Sequence, residues 1–506
     1  MTIQDLYLLS PEVALVALAL AIVLLDLVIT EKRILAVVVA LGLLVPAALA
    51  VVLWGDVQAC ENGTLGGDLA DSCIDGRLSA IFGTLAVDRF ALFFKFLVLA
   101  IVFVLILGSA DYVRRFHQFQ GEFYALVLFS ASGMMLLPAT TELISIYISL
   151  ELTVLPLVAL STFVRDARSS EAGMKFLILS AISSAMLLYG MTLVLAFTGS
   201  TELSVIATAV TEDGVPFGSY ALFLGIVLIV AGFGFKISMV PFQMWAPDVY
   251  EGAPTPVTAY LSVASKAVGF AVILRVFYIA FGELDVDWGV LFAVLSVLSM
   301  VVGNLVAIAQ NNIKRMLAYS TVAQAGYILI GVAAIAARVP DQETLGPSSV
   351  LFYLVAYAAT NLAAFFAIIV ITNKTGSDDI DSFAGMGRRA PVVAAILAFA
   401  MLSLIGIPPT AGFMGKLYIF SAAIRSDLVW LAVAGVVNSA LSAYYYLRVI
   451  RTMYLMPAES EERAPSSAPM RLALGLTGLG ILVVGLVPGP LIEIAESSAA
   501  VLLPGV

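Results

Sequence analysis

The chain has 506 residues, 61% of them hydrophobic and only 12% charged, with a formal net charge of -10. A soluble domain carries about 25% charged residues, so the polar shell of a soluble enzyme cannot be built from this sequence, and nothing in it resembles a nucleic-acid patch. The net charge says little about a ligand, because acids and bases sit in different loops. About 20 apolar residues cross ~30 Å of hydrocarbon. Stretches of that kind run near 10–30, 34–54, 86–109, 122–138, 141–163, 174–197, 219–241, 257–281, 288–310, 316–336, 348–372, 391–423, 428–450 and 470–488. They predict an all-α polytopic membrane protein with about fourteen transmembrane helices. Met1–Ser10 lacks the basic region and cleavage site of a signal peptide, so Pro11–Ile29 is expected to be a retained first span.

The loops alternate in charge along the chain. One set carries Lys32, Arg33, Arg114, Arg115, Arg165, Arg168, Lys175, Lys314, Arg315, Lys374, Arg388, Arg389, Arg448, Arg451, Arg463 and Arg471. The other carries mostly acids, among them Glu61, Asp68, Asp71, Glu202, Glu212 and Asp285. The positive-inside rule places the first set in the cytoplasm, which predicts both termini on the outer side. The short loop Asp248–Pro256 has acids and no bases although it falls on the inner side; it is expected to cap an entrance or pack on a partner. Cys60 and Cys73, the two cysteines, lie in one outer loop. They are too few for a zinc or iron–sulfur site, and read either as free thiols or, in an oxidising compartment, as a disulfide.

Five bases fall inside apolar stretches: Lys95, Lys236, Lys266, Arg275 and Lys416. A Lys at mid-bilayer costs at least ~2.5–3.5 kcal/mol, and such residues usually line ion or proton pathways. At 1.5 Å per residue, Lys266 and Glu151 lie about 14–15 Å into their spans, near the midplane. Arg275 is nearer the outer end, where a long side chain is expected to snorkel; Lys95 is close to the outer boundary, where snorkelling or packing is as expected as function. Glu142 stands at the mouth of the fifth span, on the helix face opposite Glu151, as an entrance or interface residue. Buried ion pairs seldom add net stability, so three lysines and a carboxylate in the interior point to proton transfer through Glu151, Lys236, Lys266 and Lys416.

Two spans are interrupted. Pro241 follows Lys236 by five residues, and Gly406-Ile407-Pro408-Pro409-Thr410-Ala411-Gly412 precedes Lys416. The stretch 391–423 would be ~50 Å long as one helix, which calls for a discontinuous helix. Transporters place such breaks at mid-membrane ion sites, often once in each of two repeats. The breaks are five spans apart, which predicts two inverted five-helix repeats, spans 4–8 and 9–13. The expected organisation is an N-terminal three-helix segment (1–110), a first repeat (111–285), a second repeat (286–455), and a linker with a C-terminal helix (456–506).

The segment FQMWAPDVYEGAPTPVT, residues 242–258, closely resembles the antiporter-like membrane subunits of respiratory complex I (NADH-quinone oxidoreductase). Within that family LSVASKAVGF, residues 261–270, looks like the subunit N group, whose sister subunits L and M usually carry histidine here. Leu150-Glu151-Leu152, Lys175-Phe176-Leu177, Asn311–Ser320 and Gly406–Lys416 match as well, and the likeness runs over about residues 80–455. It implies that Glu151 pairs with Lys236 in a first half-channel, that Lys266 connects the halves and that Lys416 serves the second. Ser149, Ser238, Ser265 and Tyr319 would join them in a hydrated axis, while the single histidine, His117, lies in a cytoplasmic loop. The resemblance further implies a proton-pumping translocase in the bacterial plasma membrane. No cofactor would be bound by this chain; quinone, flavin and iron–sulfur clusters would reside in partner subunits, with a neighbouring antiporter-like subunit and small membrane subunits alongside. A cation/proton antiporter or membrane-bound hydrogenase subunit shares this ancestry and is the alternative; a purely structural scaffold is the third reading.

Overall fold

The computed structural model describes residues 2–74, 76–116, 119–211, 219–282, 288–334, 344–458 and 462–503. His117, Asp75, Glu212, Asp285 and Arg338 lie outside them. Helix follows helix: α1 (Ile3–Leu8), α2 (Ser10–Val28), α3 (Arg33–Gly42) and α4 (Leu44–Glu61) open the chain. A three-stranded antiparallel sheet follows, β1 (Cys73–Ile74), β2 (Arg77–Ala80) and β3 (Leu85–Val87), with Leu78 opposite both Cys73 and Val87. Cys60 and Cys73 form a disulfide with Cα atoms 5.8 Å apart, which decides between the two readings of that loop. Leu53, Val57, Leu78 and Val87 make a small core beneath the sheet. Asp5 ties the N-terminus to it by accepting from the Ile81 amide at 2.7 Å.

The body contains α5 (Arg89–Val113), α6 (Gln120–Leu136), α7 (Leu143–Ser161), α8 (Ala167–Thr198), α9 (Leu203–Thr211), α10 (Ser219–Ile237), α11 (Trp245–Gly252) and α12 (Thr255–Ile279). There follow α13 (Trp288–Ile308), α14 (Ile313–Ala333), α15 (Leu345–Thr375), α16 (Met386–Arg389), α17 (Pro391–Ile405), α18 (Ala411–Arg425), α19 (Val429–Leu455), α20 (Ala468–Leu486) and α21 (Gly489–Ala500). Among the described residues 12 helical stretches are long and apolar enough to cross a membrane. They coincide with twelve of the fourteen expected stretches. The remaining two differ from a plain apolar span: 391–423 is divided into α17 and α18, of 15 residues each, and α19 carries Arg448 and Arg451 in its last turns.

A helix apolar on every side belongs in the interior, and α12 obeys: its spanning window is entirely buried. It packs on α5, α7, α10 and α15, and carries both Lys266 and Arg275.

Two short backbone bridges occupy matching places in the chain. Where α7 begins, Leu143 donates to Thr201 and Leu203 to Thr141, joining Glu142 to Glu202 just after α8. Where α14 begins, Ile313 donates to Asp378 and Ile380 to Asn311, joining Asn312 to Asp379 just after α15. Helices α8 and α15 are also alike in length, 32 and 31 residues, and each ends on a left-handed glycine, Gly199 and Gly376.

Candidate functional site

The first break is built at the end of α10. Ser238 has φ 60 and Pro241 follows it without a backbone N–H, so the helix cannot continue and its last carbonyls lose their intrahelical donors. Side chains take them over. Trp245 Nε1 donates to the Phe235 carbonyl at 2.8 Å, and Lys266 Nζ, reaching from α12, donates to the Ile237 carbonyl at 2.8 Å. The negative end of a helix dipole favours a cation at that place. Gly269, one turn beyond Lys266, lets α12 approach: a Cβ there would lie 2.8 Å from Ile237 Cγ2 and 3.2 Å from Lys236 Cγ. One close packing contact therefore brings Lys236 and Lys266 to the same break.

Lys236 itself is buried, and its amine has no hydrogen-bond partner among the described residues. Glu151 on α7 is near enough to act on it electrostatically, yet no hydrogen bond joins them. The Glu151 carboxylate instead accepts from Ser184 on α8. Ser149, Ser238 and Ser265 are all buried in this region, and the Ser238 hydroxyl lacks a partner. Glu142 stands apart: it accepts from Ser145 at 2.8 Å and Thr201 at 3.0 Å, beside its bridge to Glu202.

The second break repeats the construction with its lysine held firmly. Gly406 has φ 92 and the Pro408–Pro409 bond is cis. Pro408 lies at the exposed edge, and Thr410 caps α18. Lys416 Nζ donates to the Leu404 and Ile405 carbonyls and to Ser439 Oγ, each at 2.9 Å, and sits 4.3 Å from the centre of the Tyr327 ring.

An uncharged polar line runs between the two breaks. Ser262 lies one turn before Lys266 on α12 and accepts from Asn361 at 2.7 Å. Asn361 also donates to Tyr357 at 3.0 Å, and Tyr357 to Thr321 at 3.0 Å. One turn along α14, Gln324 accepts from Tyr353 at 2.5 Å and donates to the Leu404 carbonyl at 3.3 Å, the same carbonyl that receives Lys416. Ser320 and Tyr446 are joined at 2.5 Å, and Gln324 reaches Tyr446 at 3.4 Å. The sequence reading named Tyr319, which is half-buried at the side of the core; its neighbour Ser320 is the one in the line. Ser262, Thr321, Gln324, Tyr353, Tyr357, Asn361 and Tyr446 were missed, because neutral polar residues in apolar helices commonly bond to their own backbone.

Other expectations are corrected. Arg275 does not snorkel: it is fully buried and bonded to both oxygens of Asp88, at 2.9 and 2.6 Å, under the Phe90 ring. Lys95 is likewise fully buried, 2.8 Å from Glu12. A buried carboxylate partner removes the need to reach water. The acidic loop around α11 binds neighbours within the chain. Asp248 accepts from Lys175 at 2.8 Å and Arg315 at 2.7 Å; Glu251 accepts from Arg168 at 2.6 Å and Arg315 at 2.9 Å. Burial pushes both carboxyls up, but these bonds outweigh it and hold each below its ordinary range.

The transmembrane-domain model of the NADH:quinone oxidoreductase/Mrp antiporter family matches residues 140–442, which include Glu151, Lys236, Lys266 and Lys416. NADH-quinone oxidoreductase subunit N of Dehalococcoides mccartyi is 42% identical over 99% of this chain and 100% of its own length. F(420)H(2) dehydrogenase subunit N of Methanosarcina mazei is 38% identical over 99% and 100%. A chain of respiratory complex I from Thermus thermophilus superposes with a TM-score of 0.76 at 31% identity, covering 96% of this chain and 98% of that one.

Proposed function

The chain belongs to the NADH:quinone oxidoreductase/Mrp antiporter family of transmembrane proteins, and from that premise we propose that it is the proton-translocating membrane subunit of a quinone-reducing respiratory complex. The observation that carries this reading is Lys236, a buried amine without a hydrogen-bond partner among the described residues, placed with Lys266 at a helix break from which a polar line leads to a third buried lysine, Lys416.

A lone ammonium in apolar surroundings is costly unless it is paired. Approach of Glu151 therefore favours loading of Lys236 with a proton, and its retreat to Ser184 favours release. Lys266, at the same break, takes the proton toward Ser262 and Asn361. Hydroxyl and amide groups then carry it, with water, to Lys416. Rotation of side chains and a change of charge at one end suffice to drive the cycle, so no redox group is asked of this chain. Electron transfer, with quinone, flavin and iron–sulfur clusters, belongs in this reading to partner subunits, and the donor is NADH or another hydride carrier.

The two matching bridges and two matching breaks support an inverted pair of five-helix repeats, 111–285 and 286–455, flanked by the N-terminal segment 1–110 and the C-terminal part 456–506. The face holding Arg168, Lys175 and Arg315 is assigned to the cytoplasm, which puts both termini and the disulfide outside a bacterial plasma membrane.

The test is recovery of the tagged chain in mild detergent, reconstitution into vesicles and measurement of acidification on addition of NADH and a quinone. Redox subunits are expected to come with it, and acidification to follow electron transfer. Recovery without redox subunits, together with a sodium-dependent proton flux that needs no electron donor, would overturn the reading in favour of a cation antiporter.

A further inference from the structure

Away from the lysines, α17 and α20 begin side by side on the face that also carries Arg168 and Arg315. A groove of about 750 Å³ opens there, between the first turns of α17 and the segment leading into α20. Four arginines line it: Arg388, Arg389, Arg463 and Arg471, and among the described residues that do there is no carboxylate. Arg388, Arg463 and Arg471 are exposed, and Arg389 is half-buried. The side chain of Glu462, nearby, pairs with Lys374, and its backbone carbonyl receives Arg389 at 2.9 Å. Toward the membrane the wall becomes apolar, with Val392, Val393, Ile396 and Leu474. Val392 is 68% exposed, an aliphatic side chain presented to the hydrocarbon just below the guanidinium groups.

We propose that this groove is a binding site for an anionic phospholipid, with the phosphate held by Arg388, Arg463 and Arg471 and an acyl chain lying along Val392 and Ile396. Guanidinium groups match phosphate oxygens by paired hydrogen bonds. Basic pockets between spanning helices at the cytoplasmic boundary suit such headgroups. A soluble phosphate would use the arginines and leave the apolar wall unused; a zwitterionic lipid would use the wall and gain little from four positive charges. Only a molecule with both an anionic head and a tail fills the whole groove. The site is separate from the lysines, so this inference does not rest on the proton-translocation reading.

The experiment is native mass spectrometry of the full-length protein in detergent, titrated with phosphatidylglycerol or phosphatidylcholine. The wild type is expected to retain phosphatidylglycerol and not phosphatidylcholine. The variant R388Q/R463Q/R471Q is expected to lose phosphatidylglycerol retention by on the order of a hundredfold, at about fivefold for each basic group. V392W, which blocks the tail and keeps every charge, is expected to lose it too, and guards against a charge-variant folding defect. Unchanged retention in both variants would overturn the proposal. So would glycerol phosphate competing as well as the intact lipid, which would mark a soluble-anion site. Cross-linking of the variant V392C to a co-purifying subunit in place of lipid would overturn it as well.

Discussion

The two helix breaks share a plan and differ in the restraint on the lysine. At both, a proline-containing turn frees the carbonyls of a half-helix, and a buried lysine answers them. At the first break that lysine is Lys266, and a second amine, Lys236, is left without a hydrogen bond. At the second, Lys416 alone makes three hydrogen bonds and lies over an aromatic ring. The same backbone device therefore provides one amine without a hydrogen bond among the described residues and one anchored amine. In the proposed pump Lys236, at the first break, would be the member that changes partners. The anchored lysine suits a terminus to which protons are delivered.

The largest expected effect separates the two directly. Lys236→Ala should lower proton transfer in reconstituted vesicles by on the order of a hundredfold, with the melting temperature nearly unchanged, because no hydrogen bond is lost. Lys416→Ala should lower transfer as well and also destabilise by about 1–3 kcal/mol, as carbonyl groups at the end of α17 lose a donor. Equal melting shifts in the two variants would break the distinction.

Two glycines test whether backbone shape sets the difference. Gly406→Ala places a Cβ at φ 92 and 2.9 Å from Lys416 Cδ, at a cost of roughly 1–2 kcal/mol. Thermal unfolding should show that loss. Gly269→Ala carries no such dihedral penalty but pushes on Ile237 and Lys236, so it should slow proton transfer more than it lowers stability.

A third variant, Asn361→Leu, removes the join between Ser262 and Tyr357. If the polar line connects the breaks, proton transfer falls severalfold although every lysine remains; transfer at the normal rate would show that protons take another course.

The smallest effect is in the acidic loop around α11. Asp248 and Glu251 are held below the ordinary carboxylate range in the folded protein by Lys175, Arg168 and Arg315. Their stabilisation is fully present above the unfolded value near 4, and is lost as pH falls through the lower folded value. These groups are about one-third exposed, so the pairs contribute about 0.5–1 kcal/mol each after screening by solvent. Melting curves from pH 7 down to 3 should fall at the acid end in the wild type and fall less in D248N/E251Q.

Charge in an apolar stretch is a strong signal, and it singles out Lys236, Lys266, Lys416 and Glu151 in the sequence. Pro241 soon after Lys236 marks the first break, and proline and glycine within an overlong apolar run mark the second. What the sequence did not carry was pairing. Arg275 reads as a snorkelling residue until Asp88, 187 positions away, is placed beside it. The polar line was equally hidden, since Ser262, Tyr357 and Thr321 belong to three different helices and no periodicity connects them. The acidic loop defied the charge rule for the same reason: its partners, Arg168, Lys175 and Arg315, come from the starts of two other helices.

The distance along the chain between Asp88 and Arg275 has a consequence for biogenesis. The ribosome delivers the carboxylate long before it delivers the guanidinium, and several helices are threaded through the bilayer in between. During that interval Asp88 must rest where water reaches it, with the Ala91 amide as its only described helix-cap partner. Locking of that pair closes the start of α5 against α12, so the buried centre of the molecule can be completed only after α12 has been made, and a nascent chain halted earlier would hold an open bundle for the quality-control proteases to find.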